Sequence, residues 1–422
     1  MARTREIGPV PDLLSFASPS SPLVWQRRGD GMVGIGEALR MGFGGRDAWS
    51  PPPGSSSPSP ADAWRLFARH AEIDDPVGLP GTGLVAFGSF AFDERSGSSS
   101  RLIVPETVIG RHGDRYWMTH IAVDEEPSHE PVEPTAFGPY WSATIGPGAL
   151  DPAGYQEAVR GALAALADGE VSKVVIARDL AGTIPVGADV RRLARALADG
   201  YPDTWAFAVD GLIGASPETL VTVSDGIASA RVLAGTIPRG ADPDADAEAS
   251  ITLSTSAKDL DEHQYAVQSV LASLRPHTSA LSAGEQPFAL KLPNVWHLAT
   301  DVSADVAPGT SALDLVSALH PTAAVAGTPT DAALGLIRRL EPFDRGRYAG
   351  PVGWIDAAGD GEWAIALRCA QIAVDPVRGG APYADTIPVT AFAGAGIVAG
   401  SDPESELVET RVKFRPIVDA LA

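Results

Sequence analysis

The stretch FAGAGIVAGSDPESELVETRVKF, residues 392–414, joins a glycine-rich apolar segment to an acidic segment. The short apolar part predicts the end of a β-strand. The Asp-Pro pair at 402–403 predicts the start of a helix, because Asp caps helix N-termini and Pro suits the first turn. On that helix Glu406, Glu409 and Lys413 fall at positions i, i+3 and i+7, and therefore on one face.

Strand and helix patterns outside this stretch mix without a regular order. Helices are predicted from Pro152 onward and at 256–274, 312–319, 330–339 and 404–420. Strands are predicted at 83–92, 100–104, 115–123, 171–178, 204–209, 219–224, 350–356, 362–372 and 389–393. Exposed connections are predicted at 50–61, 125–135, 239–249 and 375–385. Few βαβ units emerge, which favours an α+β fold with mainly antiparallel sheets.

The composition indicates a globular protein. Of 422 residues 45% are hydrophobic and 20% are charged, which excludes intrinsic disorder as the overall state. The net charge of −21 opposes binding to DNA or RNA, and no basic patch offsets it. The single cysteine, Cys369, excludes intramolecular disulfides and cysteine-rich metal clusters. No apolar segment approaches the ~18 residues of a membrane helix, so we expect a cytoplasmic protein without a membrane or nucleic-acid partner.

A second acidic helix is predicted at 256–274. Asp259 and Glu262 are i, i+3 neighbours, and the helix continues with apolar residues at helical spacing. Carboxylate rows on two helices suit Mg²⁺, a hard ion that takes oxygen ligands. The alternative for either helix is an ordinary solvated acidic face. The glycine run 394–396 has two interpretations as well, a backbone that approaches an anion or a simple packing contact.

Lys173 and Glu218 are candidates for acid–base chemistry. Lys173 lies in an otherwise apolar predicted strand, where it either extends to an edge or is desolvated and usable as a base. Glu218 follows Ser-Pro at the start of another apolar strand, where the alternative is an ordinary turn residue. A lysine and a glutamic acid in different environments can serve as a general base and a general acid.

Ten motifs in order along the chain resemble those of the chorismate-utilising enzymes. They are SKVVIAR (172–178), GASPE (214–218), LAGTIPRG (233–240), SAKDLDEH (256–263), VWHLAT (295–300), HPTAAVAGTP (320–329), YAGPVGW (348–354), GEWAIALRCA (361–370), GAGIVAGSDPESELVET (394–410) and Lys413. Within that superfamily the chain most resembles isochorismate synthases. Residues 1–150 resemble the variable N-terminal part and 151–422 the chorismate-binding catalytic region, so we expect one integrated domain.

The resemblance implies an α+β fold in which two antiparallel sheets pack as a sandwich with helices outside. It assigns Lys173 as the base that activates water, Glu218 as the acid that protonates the departing C4 hydroxyl, and His297 as a catalytic neighbour of the substrate ring. The substrate-binding positions that it implies are Ala234, Gly235, Thr236, Tyr348, Arg368, Gly394 and Lys413. The implied Mg²⁺ site has Glu262 and Glu409 as direct ligands, with Glu406 and Asp259 acting through water.

The implied reaction is the isomerisation of chorismate to isochorismate, by addition of water at C2 and loss of the C4 hydroxyl, for menaquinone or siderophore biosynthesis. Salicylate synthase, which also eliminates pyruvate, is the main alternative, and the segment 320–322 favours the plain synthase. Aminodeoxychorismate synthases have a nucleophilic lysine where this chain has Ala234, and anthranilate synthases differ in 320–329. A non-catalytic binding protein would not need Lys173 and Glu218. We expect a monomer with chorismate as its small-molecule partner.

Overall fold

Strands dominate the part of the chain that the computed structural model describes. Described are residues 1–45, 58–127, 131–291, 295–373 and 386–422, without the side chains of Thr236, Lys258, Glu262 and Val295. The strands are β1 Ala2–Ile7, β2 Leu23–Arg27, β3 Asp30–Ile35, β4 Leu39–Phe43, β5 Ile73–Asp74, β6 Val85–Ser89, β7 Ser100–Val104, β8 Thr107–His112, β9 Arg115–Ile121, β10 Thr144–Pro147, β11 Lys173–Pro185, β12 Trp205–Val209, β13 Leu212–Ser216, β14 Thr219–Ser224, β15 Ile227–Pro238, β16 Thr278–Ala283, β17 Phe288–Lys291, β18 Val295–Val306, β19 Gly327–Thr328, β20 Pro351–Asp356, β21 Gly361–Ile365, β22 Cys369–Ile372 and β23 Thr386–Ile397.

The same described ranges contain eight α-helices. They are α1 Pro60–Arg69, α2 Pro152–Ala167, α3 Arg191–Gly200, α4 Pro243–Thr255, α5 Ala257–Leu274, α6 Ala312–Leu319, α7 Thr330–Leu340 and α8 Pro403–Leu421. Short 3₁₀ helices occupy Leu13–Phe16 and Arg275–His277. None of the described helices is both long and apolar enough to cross a membrane.

The strands form two large sheets. The first has 13 strands in the order β10-β11-β23-β22-β13-β12-β2-β3-β8-β9-β1-β5, with β19 beside β11. The second has 10 strands in the order β16-β18-β15-β14-β21-β20-β6-β7-β4, with β17 beside β18. Among the described pairs β1 with β5 is parallel and the others are antiparallel. Each sheet combines strands from both sides of residue 150.

The two sheets pack face to face around the main hydrophobic core. Trp25 of β2 in the first sheet donates its indole N–H to Glu362 of β21 in the second sheet, at 2.8 Å. A second buried cluster lies where α3 and α8 cover the first sheet, and it includes Leu193 and Ile417. The apolar sides of the helices therefore face sheets. The predicted α+β sandwich of antiparallel sheets with outer helices is confirmed.

The predicted strand 362–372 is wrong as a single strand. The structure divides it into β21, in the second sheet, and β22, in the first sheet, with residues 366–368 between them. Arg368 adopts a positive φ of 49° at this point. The chain crosses from one sheet to the other here, and a continuous apolar pattern does not reveal such a crossing because both strands are buried.

Two predicted connections contain helix starts. Segment 239–249 includes the first turns of α4, where the Asp242 side chain accepts hydrogen bonds from backbone N–H groups of the first turn. Segment 50–61 ends inside α1, which Ser59 caps in the same way. Both helices have Pro in the first turn, so the local signal was present but was outweighed by the high content of Asp, Pro and Ser. The predicted connection 375–385 lies outside the described residues.

Candidate active site

Lys173 is the first residue of β11. It pairs with Thr328 of β19, and its side chain is half-buried. The neighbouring strand β23 carries Gly396, and a Cβ added there would lie 3.2 Å from Lys173 Cε and 3.9 Å from Nζ. The end of the lysine side chain therefore lies beside Gly396, in the glycine run of β23. At Gly396 the packing interpretation of that run applies, because the missing side chain leaves room for Lys173.

A buried ion pair holds β11 behind Lys173. The guanidinium of Arg345 lies 2.5 Å from Glu341 Oε1. Glu341 accepts a hydrogen bond from the Ala177 N–H at 2.8 Å, and Arg345 donates to the Val175 carbonyl at 2.8 Å. These bonds pair backbone groups of β11 beyond the end of the two-residue strand β19. Removing one partner would leave a buried charge without compensation, which typically costs about 3–5 kcal/mol.

Glu218 lies in the short turn between β13 and β14. Its N–H donates to Ser216 Oγ at 3.2 Å, and its carbonyl accepts from the Ile365 N–H at 3.0 Å, so the turn is fixed to β21. Burial raises the pKa of the Glu218 carboxyl, and the positive charges of Lys173, Lys413 and Arg368 offset part of that increase. Glu218 therefore interacts electrostatically with three other residues predicted for the site.

A bulge in β15 faces His297. The register between β15 and β18 shifts at Ala234–Thr236, and Gly235 within it has a φ of +78°. Beyond the shift His297 is opposite Thr236, and its imidazole forms a hydrogen bond with the backbone of Gly235. Burial lowers the pKa of His297, and the charges of Lys173 and Lys413 lower it further. The side chain of Thr236 lies outside the described residues.

Helix α8 brings its acidic face to the end of β23. The Asp402 side chain caps the helix by accepting from the Ser405 N–H, as the Asp-Pro pair predicted. Lys413 Nζ lies 2.6 Å from Glu409 Oε1 and donates to the Gly394 carbonyl at 2.9 Å. Burial raises the pKa of Glu406, and the negative charge of Glu409 adds to that effect. The predicted one-faced arrangement on α8 is present.

Arg178 fastens α8 to the first sheet. This buried residue of β11 donates from Nε to Thr410 Oγ1 at 2.8 Å. Its guanidinium also lies 4.9 Å from the centre of the Phe414 ring. Strand β11 therefore carries Lys173 as its first residue and holds α8 through Arg178, its sixth residue.

Tyr348 lies shortly before β20, and Arg368 lies directly before β22. The Tyr348 ring stacks on Phe392, with ring centres 5.1 Å apart, and burial raises its pKa above the ordinary value. Burial lowers the pKa of the Arg368 guanidinium, whereas the charges of Glu409 and Glu218 raise it. Arg368 therefore shares its electrostatic surroundings with the predicted acid and with α8.

The remaining predicted metal-binding positions lie on α5. Ser256 caps this helix by accepting from the Asp259 N–H at 3.3 Å. A Cβ added at Gly235 would lie 3.4 Å from Asp259 Cβ, so α5 begins beside the bulge. The side chain of Glu262 lies outside the described residues. Among the side chains that are described, no three acidic, histidine or cysteine groups are close enough to hold a metal ion.

The sequence analysis missed four residues that hold this arrangement in place. They are Arg178, His263, Glu341 and Arg345. All four are buried and ionisable: Arg178 lies in β11, His263 in α5, Glu341 directly after α7 and Arg345 in the connection between α7 and β20. Burial makes a charge on any of them unfavourable without a partner. His263 closes the SAKDLDEH motif, and an ionisable residue next to the apolar stripe of α5 was the available signal.

Known proteins are similar in sequence to this chain. The sequence profile of a family described as chorismate binding enzyme matches residues 32–422. The isochorismate synthase DhbC of Bacillus subtilis strain 168 is 38% identical over 346 residues, which cover 79% of this chain and 80% of that protein. A salicylate biosynthesis isochorismate synthase of Pseudomonas aeruginosa is 32% identical over 387 residues, covering 85% and 78% respectively.

Solved structures share the fold. MenF, the menaquinone-specific isochorismate synthase from Escherichia coli, superposes with a TM-score of 0.76 at 25% identity, over 100% of this chain and 95% of that one. Anthranilate synthase component I from Streptococcus pneumoniae has the same fold, with a TM-score of 0.71 at 20% identity and 92% of each chain covered. The family profile and the extended identity lead to one conclusion: the chain belongs to the chorismate binding enzyme family.

Proposed function

We propose that this protein is an isochorismate synthase, an isomerase that converts chorismate to isochorismate. The observation that carries the proposal is the cluster around Glu218. The charges of Lys173, Arg368 and Lys413 all act on this one carboxyl, whose pKa is raised, and the charges of the same two lysines lower the pKa of His297. A carboxylic acid with a raised pKa, an amine and additional cations in one site suit acid–base chemistry on an anionic substrate.

The reaction needs a base at C2 and an acid at C4. Lys173, which must start this step as the neutral amine, takes a proton from water as the water oxygen bonds to C2, and the ring double bonds shift. Glu218 gives its proton to the C4 hydroxyl, which leaves as water, so atoms and protons balance. The raised pKa of Glu218 suits this role, because it keeps the carboxyl protonated at higher pH than an ordinary glutamic acid.

Substrate binding depends on local positive charge. The protein carries a net charge of −21, and chorismate is a dianion. Arg368 and Lys413 are the groups that we assign to the substrate carboxylates, because a guanidinium pairs with a carboxylate through two parallel hydrogen bonds and an amine supplies a point charge. Ala234, Gly235, Thr236, Tyr348 and Gly394 would line the rest of the substrate site.

The acidic residues of α5 and α8 fit Mg²⁺. Burial and the charge of Glu409 both disfavour ionisation of Glu406, and a divalent cation held by these carboxylates would remove that repulsion. Glu262 and Glu409 would bind the ion directly, with Glu406 and Asp259 acting through water. When bound, the ion would anchor the ring carboxylate of the substrate and offset its charge.

Product identity tests the proposal. The protein is incubated with chorismate and Mg²⁺, and the products are followed by proton NMR. We expect isochorismate to accumulate toward equilibrium with chorismate, and EDTA or the Lys173→Ala variant to stop its formation. Salicylate and pyruvate appearing together, in proportion to enzyme, would replace the proposal with salicylate synthase. No magnesium-dependent loss of chorismate would indicate a binding protein.

A further inference from the structure

His263 is a buried histidine that joins α5 to the second sheet. Its side chain is 2% exposed. The imidazole Nδ1 lies 3.0 Å from the Ala234 carbonyl in the bulge of β15. The other ring nitrogen, Nε2, lies 2.7 Å from Thr300 Oγ1 in β18. The proposed reaction gives this residue no role.

The two contacts assign one tautomer to His263. A carbonyl oxygen only accepts hydrogen bonds, so Nδ1 must carry the proton that binds Ala234. When the ring is neutral, Nε2 accepts a hydrogen bond from the Thr300 hydroxyl. Since both ring nitrogens have partners, the ring plane and its distance to the bulge are fixed.

The bulge is held from two directions. His297 binds the backbone of Gly235 from β18, while His263 binds the preceding carbonyl from α5. Asp259 lies one helical turn before His263 and packs against Gly235. The same turn of α5 that carries a proposed metal-binding residue therefore also contacts two consecutive residues of the proposed substrate site.

We infer that His263 is a positioning residue that couples the metal-binding helix to the substrate-binding bulge, through its hydrogen bond to the Ala234 carbonyl. The inference rests on the proposed function and extends it to a residue that touches neither substrate nor metal. The bond to Ala234 sets the distance between α5 and Gly235, and the bond to Thr300 selects the tautomer that makes it.

Two amide variants, each of which reproduces one ring nitrogen of histidine, distinguish this role from simple packing. Asparagine places its amide N–H near the position of Nδ1, so His263→Asn keeps the bond to Ala234 and loses the bond to Thr300. Glutamine places its amide oxygen near the position of Nε2, so His263→Gln keeps the bond to Thr300 and loses the bond to Ala234. The matched control Thr300→Val removes the hydroxyl and leaves Nδ1 in place.

The readouts are kcat, the KM for chorismate, the Mg²⁺ concentration for half-maximal rate, and the shift of the thermal midpoint caused by Mg²⁺ without substrate. We expect His263→Gln to raise KM and the Mg²⁺ requirement about tenfold, the range typical of residues that orient metal ligands. In His263→Asn and Thr300→Val, KM and the Mg²⁺ requirement should stay within about threefold of the wild-type values, a smaller change than the one expected for His263→Gln. The Mg²⁺-induced thermal shift should be smallest in His263→Gln.

The inference would be overturned if the Asn and Gln variants had the same KM and the same Mg²⁺ requirement. It would also be overturned if the activity of each variant simply followed its thermal stability. Wild-type protein that fails to form isochorismate would instead overturn the proposed function. Should both variants fail to fold, ¹⁵N NMR of the imidazoles in wild-type protein decides the matter. A proton on Nδ1 of His263 supports the inference, and a neutral ring that carries its proton on Nε2 contradicts it.

Discussion

Replacing Gly235 by alanine should show whether the backbone conformation of the bulge affects catalysis beyond its effect on protein stability. Gly235 has a φ of +78°, a region that costs a residue with a Cβ roughly 1–2 kcal/mol. The added methyl group would meet Leu298 Cδ1 at 3.3 Å and Asp259 Cβ at 3.4 Å, contacts that need only small shifts. The backbone conformation, rather than steric overlap, therefore accounts for most of the expected destabilisation.

Gly226 provides the matched control for this substitution. It has a φ of +74° in the turn between β14 and β15, and a Cβ added there would meet nothing within 4 Å. Both variants should therefore lose about 1–2 kcal/mol of unfolding free energy. In Gly235→Ala the strain is relieved by rotating the peptide groups of the bulge, which moves the backbone that His297 and His263 bind. A displacement of about 1 Å at a reacting site reduces the rate about 100-fold.

The assay compares thermal unfolding with the kcat/KM for chorismate in the two glycine variants. We expect similar decreases in the thermal midpoint, together with a 10- to 100-fold lower kcat/KM in Gly235→Ala alone, as a shift of up to ~1 Å implies. If Gly235→Ala retains kcat/KM within about twofold of Gly226→Ala, a difference too small for such a shift, the geometry of the bulge does not control the chemistry.

Four further substitutions test individual groups. Glu218→Gln should abolish turnover yet raise the free energy of unfolding near neutral pH, because the raised pKa means that the folded protein disfavours the ionised carboxyl; chemical denaturation from pH 8 downward should show this gain disappearing below about pH 4, where the unfolded carboxyl is protonated too. Lys173→Met should stop isochorismate formation while the Mg²⁺-dependent binding of chorismate stays measurable by calorimetry, and turnover at the wild-type rate would remove this lysine from the mechanism. Glu409→Gln should reduce the thermal shift that Mg²⁺ alone produces, and an unchanged shift would exclude Glu409 as a ligand. Arg178→Met should lower the free energy of unfolding by about 2 kcal/mol through loss of a charged hydrogen bond to Thr410, and a change below about 0.5 kcal/mol would contradict that bond.

The acidic face of α8 was predictable because it depends on local rules. An Asp-Pro pair starts the helix, and the helical repeat then places Glu406, Glu409 and Lys413 together. The ion pair between Lys413 and Glu409 at 2.6 Å follows from that spacing alone. The bond from Lys413 to the Gly394 carbonyl does not, because it depends on how α8 packs on the sheet.

The position of Arg368 was not predictable from its neighbours. Its positive φ is unusual for a residue with a long side chain, and it arises because the chain must change sheets between β21 and β22. The pairing of β15 with β18, which brings the bulge to His297, is equally a property of the whole sheet. Strand register is fixed by the burial of complete faces, and no short window of sequence contains that information.

The proposed site is built from residues of both sheets. Lys173 and Gly394 belong to strands of the first sheet, and Gly235 and His297 belong to strands of the second. Neither sheet by itself contains all four of these residues. Activity therefore requires that the two sheets are packed together. When denaturant separates the sheets, the proposed acid and base and the proposed metal-binding residues separate in the same transition. Activity and tryptophan fluorescence should consequently follow a single denaturation curve, with no active fragment smaller than the complete sandwich.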